Sequence, residues 1–187
     1  MGGYACDMTL PQKRILLALA LCLSAGLTVA ATIEGRVVGV SDGDTVTVLD
    51  AAKVQYKVRL TGIDAPEKAQ PFGQRSKRNL SSWVFGKQVQ IETNKSDLYG
   101  RTLGKVVVNG IDANLEQVKA GFAWHYKKYA GEQPAADREA YSRAEAFACT
   151  QRIGLWHDAA PMPPWDWRSC RRHKPGTEGM DCGVTRR

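Results

Sequence analysis

Three short clusters hold the side chains with chemistry to offer. Asp42-Gly43-Asp44-Thr45 places two carboxylates around a glycine; Arg59 is followed at a short interval by Asp64-Ala65-Pro66-Glu67; Asp97-Leu98-Tyr99-Gly100-Arg101 sets a second arginine in a bend. Carboxylates gathered in one place are hard oxygen donors suited to a metal ion, although a solvated turn is the plainer reading of any one of them. Guanidinium forks bind phosphate oxygens in pairs, which the point charge of a lysine does not do. Each cluster taken alone reads as an ordinary turn. What matters is whether one fold brings them together.

The elements around the clusters answer that in outline. Ile33 to Thr61 reads as a three-stranded meander: Ile33–Val40 is β-branched, Val46 and Val48 alternate with threonines, and Tyr56, Val58 and Leu60 alternate with Lys57 and Arg59, with turns at Asp42-Gly43 and residues 50–53. Residues 59, 61 and 63 share one strand face, so Arg59 points to the side that the acidic loop crosses. Pro71 to Phe85 changes to a helical period, with Phe72, Leu80, Trp83 and Val84 on one stripe and Gly86 as its stop. Val89–Thr93 and Leu103–Val108 read as two more strands, and Asn109-Gly110 as a tight turn. Asp112 is the expected N-cap of a helix through Ala120, ended by Gly121; a third helix runs from Pro134, at or near its first turn, to about Cys149. Five strands with a helix after the third, then more helices, predict an α+β domain: a five-stranded OB-type β-barrel with about three packed helices.

In this order and at these intervals the clusters resemble the staphylococcal nuclease (thermonuclease) family. The resemblance spans Ile33 to Trp156 and includes Gly121-Phe122-Ala123 and Gly154-Leu155-Trp156. It implies a Ca²⁺-dependent endonuclease acting on DNA and RNA and leaving 3′-phosphate ends. By similarity, Asp44 and Asp64 bind Ca²⁺ through their carboxylates and Ala65 through its carbonyl, standing where the staphylococcal enzyme has threonine. Arg59 and Arg101 grip the scissile phosphate, and Glu67 is the general base or the residue that orients the attacking water. Tyr99 and Tyr129 are the candidate base-stacking residues, with Tyr126 as an alternative to the latter. Asp42 and Asp97 flank the site, as supports of its ligands or as turn caps. His125, His157 and His173 show no ligand spacing and read as non-catalytic. The rival function, a barrel that binds single strands without cutting them, is disfavoured by the complete set of arginines and carboxylates.

Charge and the chain ends complete the reading. The formal net charge is +7, with an acidic stretch over 32–67 inside a basic body, which suits a polyanionic partner. Lys13-Arg14, an apolar run from Ile15 to Leu23 and small residues to Ala31 have the layout of a secretory signal peptide, cleaved after Ala30 or Ala31. The alternative is an uncleaved membrane anchor facing outward. About 156 residues then remain, enough for one domain. The divisions expected are thus 1–31 for the signal, 32–160 for the nuclease-like domain and 161–187 for a Pro/Trp segment and basic tail. The protein is expected to be secreted or periplasmic and monomeric, with no stable protein partner. Of the cysteines beyond the signal, Cys170 pairs with either Cys182 or Cys149. Pro161–Trp167 is expected to lie over the domain, the tail from Arg168 onward to be solvated and the last ten or so residues mobile.

Overall fold

The structure is a computed structural model and describes residues 31–172; residues 1–30 of the expected export segment, His173, Cys182 and the last ten residues lie outside that range. The meander is present as β1 (Ala31–Asp42), β2 (Thr45–Leu49) and β3 (Gln55–Leu60). After α1 (Gly73–Val84) come β5 (Gln88–Ser96) and β6 (Thr102–Val108). β1 pairs antiparallel with both β2 and β5, β5 pairs with β6, and a parallel pairing of β3 with β6 closes the ring. The expected five-stranded barrel is therefore closed. One long strand can serve two neighbours because β1 bends at register shifts between Val37 and Gly39 and between Val40 and Asp42.

The alternation seen in the sequence is what fills the barrel. Val37, Val46, Val48, Val58, Leu60, Ile91 and Val106 are all buried, and Leu80 and Val84 of α1 cap one end. Each such side chain contributes roughly 1.5–3 kcal/mol by leaving water. Phe72 departs from the expected stripe: it precedes α1 in the left-handed region (φ 66°) and lies beside the Arg75 guanidinium.

Two short pairings escape the sequence pattern. β4 (Ile63–Asp64) pairs antiparallel with β8 (Trp124–His125), so residues expected in a loop are held as a strand fragment. β7 (Ile111–Asp112) leads into α2 (Ala113–Lys119), capped as expected by Asp112, whose Oδ1 accepts from Leu115 N at 3.0 Å. A 3₁₀ turn (Lys127–Glu132) leads to α3 (Ala135–Thr150), with Pro134 at its N-cap, and a second 3₁₀ turn spans Gly154–His157. Gly121 and Gly154 pack backbone to backbone: a Cβ on Gly121 would come 2.2 Å from the Ile153 oxygen, and Leu155 N donates to Gly121 O at 2.8 Å.

The largest departure is at the C-terminal end. Pro161–Trp167 does lie on the domain, but Pro164–Arg172 forms a further helix, α4, which takes in residues 168–172 where the tail was expected to be solvated. Pro164 occupies the first helical position, where its missing N–H costs nothing. Trp167 and Cys170 are buried, and Trp165 stacks on Tyr126 with ring centroids 5.4 Å apart. Cys170 is disulfide-bonded while Cys149 is a free, exposed thiol, which rules out a Cys149–Cys170 bridge.

Candidate active site

β3 lies beside β2 in a register that sets Arg59 opposite Thr45, one residue from Asp44. Leu60 N donates to Asp44 O at 2.8 Å and fixes the end of β3 to the start of β2. From there the Arg59 guanidinium bridges two carboxylates, Nη1 donating to Asp44 Oδ1 and Nη2 to Asp64 Oδ1, each at 2.6 Å. Both carboxylates are buried, at 1% and 0% exposure, so water contributes almost nothing to their stabilisation.

Asp44 is held on every side. Its Oδ2 accepts from the Ala65 amide at 2.7 Å, its Oδ1 also accepts from the Thr45 hydroxyl at 3.1 Å, and its own amide donates to Asp42 Oδ1 at 3.2 Å. Asp42 is thus a support for Asp44. Burial pushes the Asp44 carboxyl up to about 8, against the opposing pull of Arg59 and with the neighbouring carboxylates of Asp42 and Asp64 adding to the rise. The turn that delivers it requires glycine at 43, because a Cβ there would lie 1.8 Å from Ser76 Oγ and 2.7 Å from the Ala65 Cβ.

Asp64 is positioned by the β4–β8 pairing, opposite Trp124. Beyond it, Pro66 turns the chain and Glu67 reaches the surface with its side chain 40% exposed. Gln70, itself buried, holds this loop: its Oε1 accepts from Glu67 N at 3.1 Å and its Nε2 donates to Met162 O at 2.7 Å, on the segment entering α4.

A residue the sequence reading left in a solvated tail completes the cluster. Arg168 of α4 donates from Nη2 to Asp64 Oδ2 at 2.7 Å and from Nη1 to Asp64 Oδ1 at 3.2 Å and Glu67 Oε1 at 2.8 Å. The only signal available in sequence was an arginine behind two tryptophans.

Arg59, Asp44, Asp64, Ala65 and Glu67 therefore meet in one place, whereas Arg101 is engaged elsewhere. Its Nε donates to Asp97 Oδ2 at 2.7 Å, and Asp97 Oδ1 accepts from the amides of Tyr99 and Arg101. Slight desolvation would raise the Asp97 carboxyl, but the hydrogen bonds from Arg101 and Tyr99 outweigh it and hold it below the usual range. Asp97 thus both caps its turn and pairs with Arg101. The parallel register of Val58 with Thr102 sets the Arg101 bend alongside the strand that bears Arg59.

The aromatic candidates separate by exposure. Tyr99 is 85% exposed with the Arg101 guanidinium 5.7 Å from its ring, and Tyr129 is 45% exposed. Tyr126, the alternative, is occupied in stacking on Trp165. His125 is buried and its Nε2 lies 2.9 Å from Gln133 Oε1.

The donor set fits a hard cation. Two carboxylate oxygens converge on the single positive charge of Arg59, and all the side-chain donors are oxygens, as Ca²⁺ prefers. Among the described residues no cluster of three or more His, Cys, Asp or Glu side chains forms a self-sufficient cage, so a cation here depends on a main-chain carbonyl and water as well.

The described residues thus form a closed five-stranded OB-type barrel whose meander ends in paired carboxylates bridged by an arginine. Residues 57–158 match the family model described as staphylococcal nuclease homologue. The chain is 45% identical over 133 residues, 71% of each chain, to an uncharacterized endonuclease of Haemophilus influenzae, and 43% identical over 141 residues, 74% of this chain and 86% of the other, to one of Escherichia coli. It is 37% identical over 152 residues, 76% of this chain and 84% of the other, to a micrococcal nuclease of Shigella flexneri. The chain belongs to the staphylococcal nuclease family. The family match ends at residue 158, before α4 begins.

Proposed function

We propose that this protein is a Ca²⁺-dependent endonuclease that hydrolyses phosphodiester bonds of DNA and RNA with little sequence specificity and leaves 3′-phosphate ends. The observation that carries this reading is the Arg59 bridge between two buried carboxylates with Glu67 beside them. Asp44, Asp64 and the Ala65 carbonyl would hold the Ca²⁺, which when bound supplies positive charge at the phosphate and a place for water.

The chain's own residues do the rest. Arg59 and Arg101 bind equatorial phosphate oxygens, where charge collects as the bond to phosphorus forms. Glu67, exposed at the rim, orients the attacking water and accepts its proton. The water oxygen joins phosphorus, the bond to the 5′-oxygen breaks, and that oxygen takes a proton from solvent. Exposed Tyr99 and Tyr129 stack on bases, which any sequence satisfies. Phosphodiester cleavage needs a barrier lowering on the order of 15–20 kcal/mol, and one preorganised donor supplies about 3–4 kcal/mol, so these groups act jointly.

We also read the protein as an exported monomer, secreted or periplasmic. The signal-like layout of residues 13–31 supports export. N-terminal sequencing of the exported protein distinguishes cleavage from an anchor. Digestion of plasmid and of RNA with Ca²⁺ and with a chelator tests the activity. Cleavage that survives the chelator sinks the metal reading, and strand binding without cleavage sinks the enzyme.

A further inference from the structure

Arg168 stands outside the set of residues that the family match covers, yet it touches two of the groups just assigned to chemistry. Its guanidinium grips Asp64 through both carboxylate oxygens and reaches Glu67 Oε1 at 2.8 Å. Nothing else in the described residues ties the Glu67 carboxylate to Asp64. A glutamate side chain with 40% exposure otherwise samples several rotamers in water.

α4 is not a tail that strays into the site. Gln70 links the Glu67 amide to Met162 O on the approach to the helix; Trp165 stacks on Tyr126 and meets the edge of Trp124; Trp167 is buried; and Cys170, two residues from Arg168, is in a disulfide. A polar tether and aromatic packing therefore both fix the backbone that carries Arg168. Such support is what holds a side chain in one geometry.

We propose that Arg168 is a positioning residue of this nuclease: one guanidinium, delivered by α4, fixes the Glu67 carboxylate against Asp64 for the attacking water. The inference rests on the nuclease reading above. It has a cost that makes it testable, because the same positive charge sits on Asp64 and opposes a divalent cation there. Arg168 thus lowers resting cation affinity in return for an ordered Glu67.

The test compares wild type with Arg168→Ala and Arg168→Lys by calorimetric titration with Ca²⁺ alone, by thermal melting, and by kcat and KM on DNA at saturating Ca²⁺. Folded Arg168→Ala should bind Ca²⁺ about tenfold tighter, a change worth about 1.4 kcal/mol, while kcat falls at least tenfold and KM moves little. Arg168→Lys keeps the charge and loses the fork, so its Ca²⁺ affinity should stay near wild type while kcat still falls. A purely structural role would weaken binding and turnover together. Overturning results are wild-type kcat in either variant, a change confined to KM, or looser Ca²⁺ binding in folded Arg168→Ala. Should Arg168→Ala fail to fold, Arg168→Lys decides by its kcat. The Ca²⁺ titration needs no turnover, so a wild type that binds Ca²⁺ but cleaves nothing refutes the nuclease reading separately.

Discussion

Gln117 of α2 donates a 2.7 Å hydrogen bond from Nε2 to the carbonyl oxygen of Gly43, the residue before Asp44. Both groups are buried, and the Gln117 carbonyl accepts in turn from Asn79 of α1. Two helices therefore set the turn that presents the Asp44 carboxylate. Gln117→Leu removes the donor and leaves the Gly43 oxygen without a partner, at a cost of about 1–3 kcal/mol. Urea denaturation should show that loss, and Ca²⁺ binding should weaken with it. Unchanged Ca²⁺ affinity in the folded variant would show that the turn holds Asp44 unaided.

The role of Arg59 extends beyond the phosphate contact proposed for it. A phosphate contact alone would let Arg59→Ala lose activity with its fold intact, but the structure shows the guanidinium as the charge that joins Asp44 to Asp64. Removing one member of a buried ion-pair group typically costs about 3–5 kcal/mol. Arg59→Ala should therefore lose turnover by orders of magnitude and also melt earlier without Ca²⁺. Added Ca²⁺ should recover much of the lost melting temperature, since it restores positive charge between the carboxylates. A variant that melts like wild type in chelator contradicts this double role.

Arg101 predicts a contrasting pattern. Its pair with Asp97 lies at the surface of a bend, with 28% and 17% side-chain exposure, and such pairs contribute about 0–1 kcal/mol. Arg101→Ala should keep its stability within that range and its Ca²⁺ affinity, while kcat falls about 10²–10³-fold through loss of a phosphate donor. Near-normal kcat would remove Arg101 from the site.

These contrasts mark what was legible in the sequence. The barrel strands were, because Val46, Val48, Val58 and Leu60 alternate with polar residues and only the strand period places them all inside. The N-cap role of Asp112 was legible for a similarly local reason, since its acceptor and the Leu115 amide lie three residues apart. The β4–β8 pairing was not: two-residue strands carry no period, and what holds Asp64 opposite Trp124 is tertiary. Arg168 was hidden more deeply, 104 positions from Asp64 and at the start of a basic tail that was expected to be solvated. Arg101 was placed in the right bend, but its Asp97 partner shows that proximity in a motif does not fix which charge an arginine faces.

The pH dependence follows from Asp44. Burial pushes its carboxyl up to about 8 although Arg59 pulls it down, while in the unfolded chain it titrates near 4. A group raised on folding stabilises the fold fully below its unfolded value, and that contribution is lost as pH rises through the folded value. Asp44 should therefore make the Ca²⁺-free protein progressively less stable between about pH 4 and 8. Asp44→Asn, which cannot ionise, lacks this slope, so the stability gap between variant and wild type should shift in the variant's favour across that window. Cation binding reads the same proton from the other side. A carboxylate must be ionised to bind Ca²⁺, so binding near pH 6 should release close to one proton and binding above about pH 9 almost none. Calorimetry in two buffers of different ionisation heat counts that proton directly. Release of none at pH 6 would mean that Asp44 is already ionised in the resting site, with Arg59 outweighing its burial.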